Sequence, residues 1–594
     1  MPLLWISAAA LAFVVVGGAL ELRAGPLRQD TLGVGSPLLP AAPGRPRARR
    51  TTRPVPVSVA LFAACSTLYL LVAGYLVLHR GSIVGDAEAR VAQAWYVVAS
   101  RDPHLAAIGF VWNPLPSIAA IPLVELRGIW PALTERAFAG SIVSALCMAG
   151  AVVQFRAAVR QIGTSGPIAV VLTACFALNP MTIYYGANGM SEAMYLLFLV
   201  GTTRYLLEWT VSGRLRALVL VGVNLSLAYL TRYEALAAAL VVGGVVLAVG
   251  TMARDRTAPR RDRIRAAGTD VVVALFPFAL TFAAWTVISW VITGQPFQQF
   301  TSVYGNTSLI QQAGGTAALN VSGWPDVVLA FVRLSSYAPL LVPLAAAAAY
   351  LAVRRGDRRF LALGALAGPL AFSLVTFLDG QAYGWLRFYI PVLPLSLLAA
   401  ALMLSPLPGM RPATPTWLTR DPVIAAAAAL LIGLPGLATS ALAMGDSRIA
   451  PVEKTALAWV VRPARTAGER QWQAQLPSSE RIARSLDRLD LPDGSVALDT
   501  FDCGSLIVLA SQHPHQFVIT SDRDFQRIVA DPVPFHVPYL LVPSAYGGID
   551  AIDRAHPGIF DGGQVGSLQT TVAGQYDTTG CPTYRLVRVT GDGS

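Results

Sequence analysis

Charge is what this chain has least of. Only 13% of its 594 residues are Asp, Glu, Lys or Arg, while 54% are hydrophobic and mean hydropathy is +0.54. Soluble domains carry about twice that share of charge, so the bulk of the chain reads as a polytopic membrane protein. Lysine is nearly missing, with Lys454 the only one. The five cysteines include no Cys-x-x-Cys pair, and His513, His515, His536 and His556 lack metal-ligand spacing, so no metal centre is indicated. No Gly-rich loop follows a strand-like run, which removes support for nucleotide binding. The net charge of +11 does not indicate nucleic acid as a partner either. Its arginines stand in short clusters between apolar runs of about 20 residues, the pattern of the positive-inside rule.

What is present falls into three parts. Residues 1–56 hold an apolar run at 3–20 with no positive residue before it, then a Pro/Gly/Arg-rich linker. That order predicts an uncleaved helix with its N-terminus outside and a cytoplasmic linker. Residues 57–444 hold eleven further apolar segments, at 57–78, 132–153, 167–185, 190–207, 215–231, 233–249, 271–292, 327–353, 360–378, 388–404 and 423–444. Alternating their direction puts every arginine cluster on one side and a large first loop, 79–131, on the other. From 445 to 594 the composition is that of a soluble domain. Short β-rich runs at 495–499, 516–520 and 539–543 alternate with helical stretches, which predicts a small α/β domain on the extracytoplasmic side. Cys503 and Cys581 are the tail's two cysteines, and a bridge between them is open if the tail faces an oxidising compartment. Cys65, Cys147 and Cys175 lie in apolar runs and read as packed thiols.

The first loop begins with Gly85-Asp86-Ala87-Glu88-Ala89-Arg90. Ala87, Val91, Ala94, Trp95 and Val98 recur at helical spacing, with Asp86, Arg90 and Gln93 opposite, as in a helix lying flat on a bilayer. Few ionisable residues fall near the outer ends of the spans, so each one is informative. Glu192 stands at one outer turn, Arg232 and Glu234 at a second, and Arg387 at the mouth of a third. Charged groups at membrane depth face one another or a polar cavity. Such a cavity suits a lipid phosphate, which arginine binds through paired N–H groups. Asp86 above it is placed to act as general base, with Glu88 the lesser candidate because it diverges to another helix face. Blander roles stay open: Asp86 as an N-cap, Arg232 with Glu234 or Glu192 as a buried ion pair, Arg387 snorkelling to headgroups. His104 and Asn113 are candidates for fixing the loop or positioning an acceptor, together with Arg90 and Trp112.

The order of these motifs along the chain carries a resemblance. An acidic residue in the first loop, then Trp112-Asn113-Pro114-Leu115-Pro116, Met190-Ser191-Glu192, Leu230-Thr231-Arg232-Tyr233-Glu234 and the run from Arg387 through Tyr389 to Pro394, resembles the GT-C superfamily of integral membrane glycosyltransferases. Within it the chain is similar to the bacterial branch related to protein O-mannosyltransferases and lipid A aminoarabinose transferases, over about 57–444. The resemblance implies a GT-C-like fold of about 11–12 transmembrane helices in a bacterial plasma membrane, with an extracytoplasmic site and tail. It implies a polyprenyl-phosphate sugar as donor, transfer that inverts the anomeric centre, and catalysis by the first-loop acid. Carried onto this sequence, those roles fall on Asp86 and on Arg387 and Arg232, with Glu234, Glu192 and Tyr389 beside them. The Asp-x-Glu here differs from the Asp-x-Asp of oligosaccharyltransferases, which leaves a divalent cation open. Membrane lipids are expected partners; the acceptor is not identified. Two other functions compete: a transporter or flippase of lipid-linked sugars, which predicts inverted repeats not seen here, and a non-catalytic scaffold indifferent to Asp86→Asn.

Overall fold

A computed structural model describes residues 55–253, 257–302, 305, 308, 310–311, 322–405, 422–544, 549–566 and 568–590. The expected first span at 3–20 and the basic linker lie outside the described residues.

All eleven apolar segments of the body fold as helix. In hydrocarbon only a helix satisfies its own N–H and C=O groups within one segment. Seven are long and apolar enough to cross a membrane: Val57–His79, Phe138–Ile162, Ala235–Ala253, Arg260–Thr293, Arg358–Leu378, Leu386–Leu404 and Val423–Met444. The other four depart from simple spans for local reasons. Residues 327–353 form Asp326–Tyr337 and Leu341–Leu351 with a 75° bend, where Pro339 and Pro343 remove backbone donors. Residues 167–185 break into Gly166–Ala177 and Pro180–Tyr185. Asn179 caps the second piece by accepting from the Met181 amide at 3.0 Å, and Pro180 takes the first position. Leu215–Thr231 is only 17 residues long, and Glu192–Ser212 contains Glu192, Arg204 and Glu208. The span expected from residue 132 starts later, at Phe138, because Ala132–Glu135 is a separate turn and Ala137 takes φ 49°.

Phe138–Ile162, Glu192–Ser212 and Leu215–Thr231 pack in series and form the bundle's centre. Arg260–Thr293 packs on them with one side and leaves Phe276, Leu280, Trp290 and Val291 exposed, as suits contact with lipid tails.

The first loop folds into two helices, Gly85–Ala99 and Leu115–Val124. The apolar face of Gly85–Ala99 is covered by protein rather than left open for a bilayer. Its apolar residues Ala87, Val91, Ala94 and Trp95 are buried in protein, and so are Glu88, Arg90 and Tyr96 on its other sides. The helix is wedged between the bundle and the tail.

The tail opens with helices Pro451–Val461 and Ala467–Asp487. Strands β1 (Val496–Leu498), β2 (Phe517–Ile519), β3 (Tyr539–Pro543), β4 (Gln569–Tyr576) and β5 (Tyr584–Thr590) follow, in the sheet order β2-β1-β3-β5-β4. β1 pairs in parallel with β2 and β3, whereas β5 runs antiparallel to β3 and β4. Helix Cys503–Ala510 follows β1, and a Cys503–Cys581 disulfide ties it to the segment entering β5. The two long helices and strands β4 and β5 are not anticipated by the sequence reading; the exposed face of β4 is mostly polar. Tail and first loop share one continuous apolar core and are joined by polar contacts as well. Ser82 donates to the Ala456 carbonyl at 3.0 Å, Trp472 Nε1 to the Ile83 carbonyl at 2.9 Å, Arg101 Nε to Asp522 at 3.1 Å and Arg523 Nε to Asp102 at 2.9 Å.

Candidate active site

Four segments far apart in sequence meet under the start of the loop helix. Asp86 is its second residue, after Val84 at the N-cap and Gly85, and its side chain makes no capping bond. The carboxylate instead accepts from Arg387 Nη2 at 2.7 Å and remains 38% exposed, so it is open to an incoming group. Arg387 lies on the short turn Leu386–Tyr389 and is 5% exposed. Behind it, Glu192 Oε1 lies 3.6 Å from Arg387 Nε and accepts from Arg232 Nη1 at 2.8 Å. Arg232 also donates to Ser191 Oγ at 3.3 Å and to Glu234 Oε1 at 2.6 Å. Asp86, Arg387, Glu192, Arg232 and Glu234 thus form one alternating chain of charges running from an accessible carboxylate into the bundle.

The sequence makes this arrangement cheap locally. Arg232 leaves Leu215–Thr231 in extended conformation, which turns its guanidinium back over Tyr195 and Phe388 at 5.9 and 5.3 Å. Arg387 lies against both Trp385, at 4.6 Å, and Phe388, at 5.2 Å, and Tyr383 stacks on Trp385 at 4.2 Å. Flat aromatic faces support a guanidinium while leaving its edge free to donate. Gly189 has φ +81°, and a Cβ there would meet Ala87 Cβ at 3.1 Å and the Gly140 backbone at 3.3 Å. The absent methyl lets the loop helix seat closely on the bundle.

Burial pushes the Asp86 pKa up, but the Arg387 guanidinium, with Arg90 and Arg232 further off, outweighs that and holds it below the usual carboxylate value. Burial drops the Arg90 guanidinium to about 10. Arg90 lies 5.2 Å over the Trp112 ring, and its Nε and Nη1 find no partner in the protein. Arg387 Nε, which keeps its ion pair with Glu192, and Glu192 Oε2 and Glu234 Oε2 are likewise buried without a hydrogen-bond partner among the described residues. A buried cluster with that much unused hydrogen-bonding capacity is built for something besides itself.

Not all of the expected residues meet here. Glu88 is buried on the far side of the helix, where Ser505 Oγ of the tail lies 2.8 and 3.0 Å from its two oxygens. It is therefore removed from the candidate catalytic pair: two residues along a helix is about 200° of rotation. His104 turns its Nδ1 to the Asp102 carbonyl at 2.6 Å, and Asp102 is held by Arg523, so that segment serves the tail contact. Asn113 donates to the Tyr229 carbonyl and pins the loop to a span. Tyr389 is fully buried one face away from Arg387, in the field of Arg333, and its hydroxyl has no partner in the protein. Trp112 reaches the site only through Arg90. Sequence reasoning passed over Ser191, Tyr195 and Phe388, although Ser191 and Phe388 lie inside the quoted motifs. It also passed over Arg333, a buried arginine inside a span whose presence alone was a signal. The divalent cation left open by the sequence does not fit the donors present. Asp86, Glu192 and Glu234 are each engaged by a guanidinium, and no three His, Cys, Asp or Glu side chains gather around a cation position among the described residues.

No family model and no curated protein matches the chain. Among solved structures it is similar to ArnT from Cupriavidus metallidurans bound to undecaprenyl phosphate, at 16% identity and a TM-score of 0.49, over 89% of this chain and 97% of that one. It is similar also to the oligosaccharyltransferase of Archaeoglobus fulgidus tethered to an acceptor peptide, at 11% identity and a TM-score of 0.42, over 82% of this chain and 69% of that one. Similarity at this level says nothing of which groups react, and that question rests on the residues above.

Proposed function

We propose that the chain is a membrane glycosyltransferase that moves a sugar from a polyprenyl-phosphate donor to an acceptor hydroxyl at the extracytoplasmic face of a bacterial plasma membrane. The observation that carries this is the accessible Asp86 carboxylate 2.7 Å from a buried Arg387 that is itself the end of an arginine–glutamate chain.

The donor phosphate competes with Asp86 for Arg387, and the unpaired N–H groups of Arg90 give it a second anchor. Losing its guanidinium partner removes what holds the Asp86 pKa down, while burial still pushes it up, so the arriving phosphate makes Asp86 a better base. Asp86 then takes the acceptor O–H proton as that oxygen attacks the anomeric carbon. The carbon–oxygen bond to phosphate breaks with its electron pair, and the phosphate leaves against Arg387 and Arg90. Attack opposite the leaving group inverts the anomeric centre. Arg232 stays bound to two glutamates throughout and keeps Arg387 in place.

The test is a transfer assay on purified protein with a panel of polyprenyl-phosphate sugars, comparing wild type with Asp86→Asn. Removal of a general base is expected to lower turnover by about 10²–10⁴-fold with donor binding retained. Unchanged turnover in the variant would end the assignment.

A further inference from the structure

Glu88 is a carboxyl group the proposed chemistry leaves unused, yet it is 4% exposed on the same helical turn as Asp86. Among the described residues its side chain pairs with Ser505, itself 2% exposed, at the start of helix Cys503–Ala510. The Ser505 hydroxyl has one proton and three acceptors in reach: Glu88 Oε1 at 2.8 Å, Glu88 Oε2 at 3.0 Å and the Asp502 carbonyl at 2.7 Å. A serine cannot donate to a carboxylate and a carbonyl at once. Both contacts are made together only if Glu88 carries a proton and donates it to Ser505 Oγ while Ser505 donates to Asp502.

The groups facing Glu88 favour that state. Burial raises its pKa well above the usual carboxylate range; the Ser505 hydrogen bond lowers it again only in part, and Asp502 and Asp86 each push it up. Tyr96 also lies in its field. The neighbourhood is anchored at both ends, by Trp472 on Ile83 before the helix and by Arg101 on Asp522 after it. Through the Cys503–Cys581 disulfide the Ser505 turn is fixed to the sheet.

We propose that the tail is a working part of the active site: Ser505 holds neutral Glu88 as a donor, which fixes the first turn of the loop helix and keeps Asp86 at Arg387. Glu88 and Ser505 are then positioning residues. The arrangement builds on the role proposed for Asp86 but is tested apart from it.

Hydrogen–deuterium exchange on the full-length protein reads the first turn of the loop helix without any ligand. Glu88→Ala and Ser505→Ala are expected to speed exchange there about tenfold, the effect of losing one buried hydrogen bond, while Glu88→Gln, which still donates, matches wild type. Turnover with a polyprenyl-phosphate hexose should follow, down about 10–100-fold in the two alanine variants with donor KM unchanged, and rescued in Glu88→Gln. Exchange in Glu88→Gln as fast as in Glu88→Ala, or in Ser505→Ala as slow as in wild type, overturns the proposal. If Glu88→Ala fails to fold, Ser505→Ala decides. An active Asp86→Asn would instead defeat the general-base role given to Asp86 and leave the exchange result standing.

Discussion

The two sides of the Gly85–Ala99 helix treat a carboxylate in opposite ways. Toward the bundle, Asp86 meets an arginine, which holds its pKa down although the carboxylate is partly buried. Toward the tail, Glu88 meets a serine, and burial pushes its pKa up. The charge of a buried carboxyl depends on its partner, and here two partners separated by more than 100 residues shift the pKa values of two near neighbours in opposite directions.

Breaking the ionised side has the largest expected effect. Arg387→Ala strips Asp86 and Glu192 of a shared cation, and both turnover and donor binding should fall, turnover by about 10²–10³-fold in the transfer assay. Arg387→Lys should recover little of this, because an ammonium lacks the flat fork that lies against Trp385 and Phe388. Glu192→Gln comes next. It removes the carboxylate shared by Arg232 and Arg387, and breaking a buried pair costs about 3–5 kcal/mol, visible as a lower denaturation temperature in detergent.

Sharpening the contrast needs only pH. Asp86 titrates below its ordinary value, so its contribution to stability is complete above about pH 4 and is lost as pH falls through the depressed pKa. Glu88 titrates above its ordinary value, so its contribution is complete below about pH 4 and fades as pH climbs through the raised pKa. Melting temperatures across this range should therefore fall at both ends, and Glu88→Gln should remove part of the alkaline decline while leaving the acid one. The smallest effect on the site comes from the bridge. Cys503→Ser opens a loop of 78 residues, worth on the order of 4 kcal/mol to the tail in the chain-entropy picture. Proteolysis of the tail is expected to speed up while Asp86 and Arg387 still meet.

The sequence made the helices and the charged chain legible for the same reason. Apolar runs in a membrane have one way to satisfy their backbones, and Glu192, Arg232 and Arg387, too costly to leave in lipid, had to find one another. The Asp86 position followed from the helical spacing after Gly85. Three things were out of reach. The bend at Pro339 and the break at Asn179 depend on neighbouring helices that fill the gap. The side on which Glu88 lies is decided by Ser505, 417 residues away, so helix spacing alone showed only that it diverges from Asp86. The apolar stripe of the loop helix was read as facing lipid because burial in protein and burial in a bilayer leave the same pattern; only the docking of the tail separates them. Tyr389 shows the limit of motif reading, since it neighbours Arg387 in the chain yet points into a different interior.

The bare α-carbon of Gly189 sets a mechanical tolerance for all of this. With no methyl there, Ala87 rests almost on the chain beneath it, so the reach from carboxylate to guanidinium is gauged by one hydrogen atom. An alanine at that position would act as a shim, lifting the whole lever by tenths of an ångström and lengthening the gap across which a proton has to be caught.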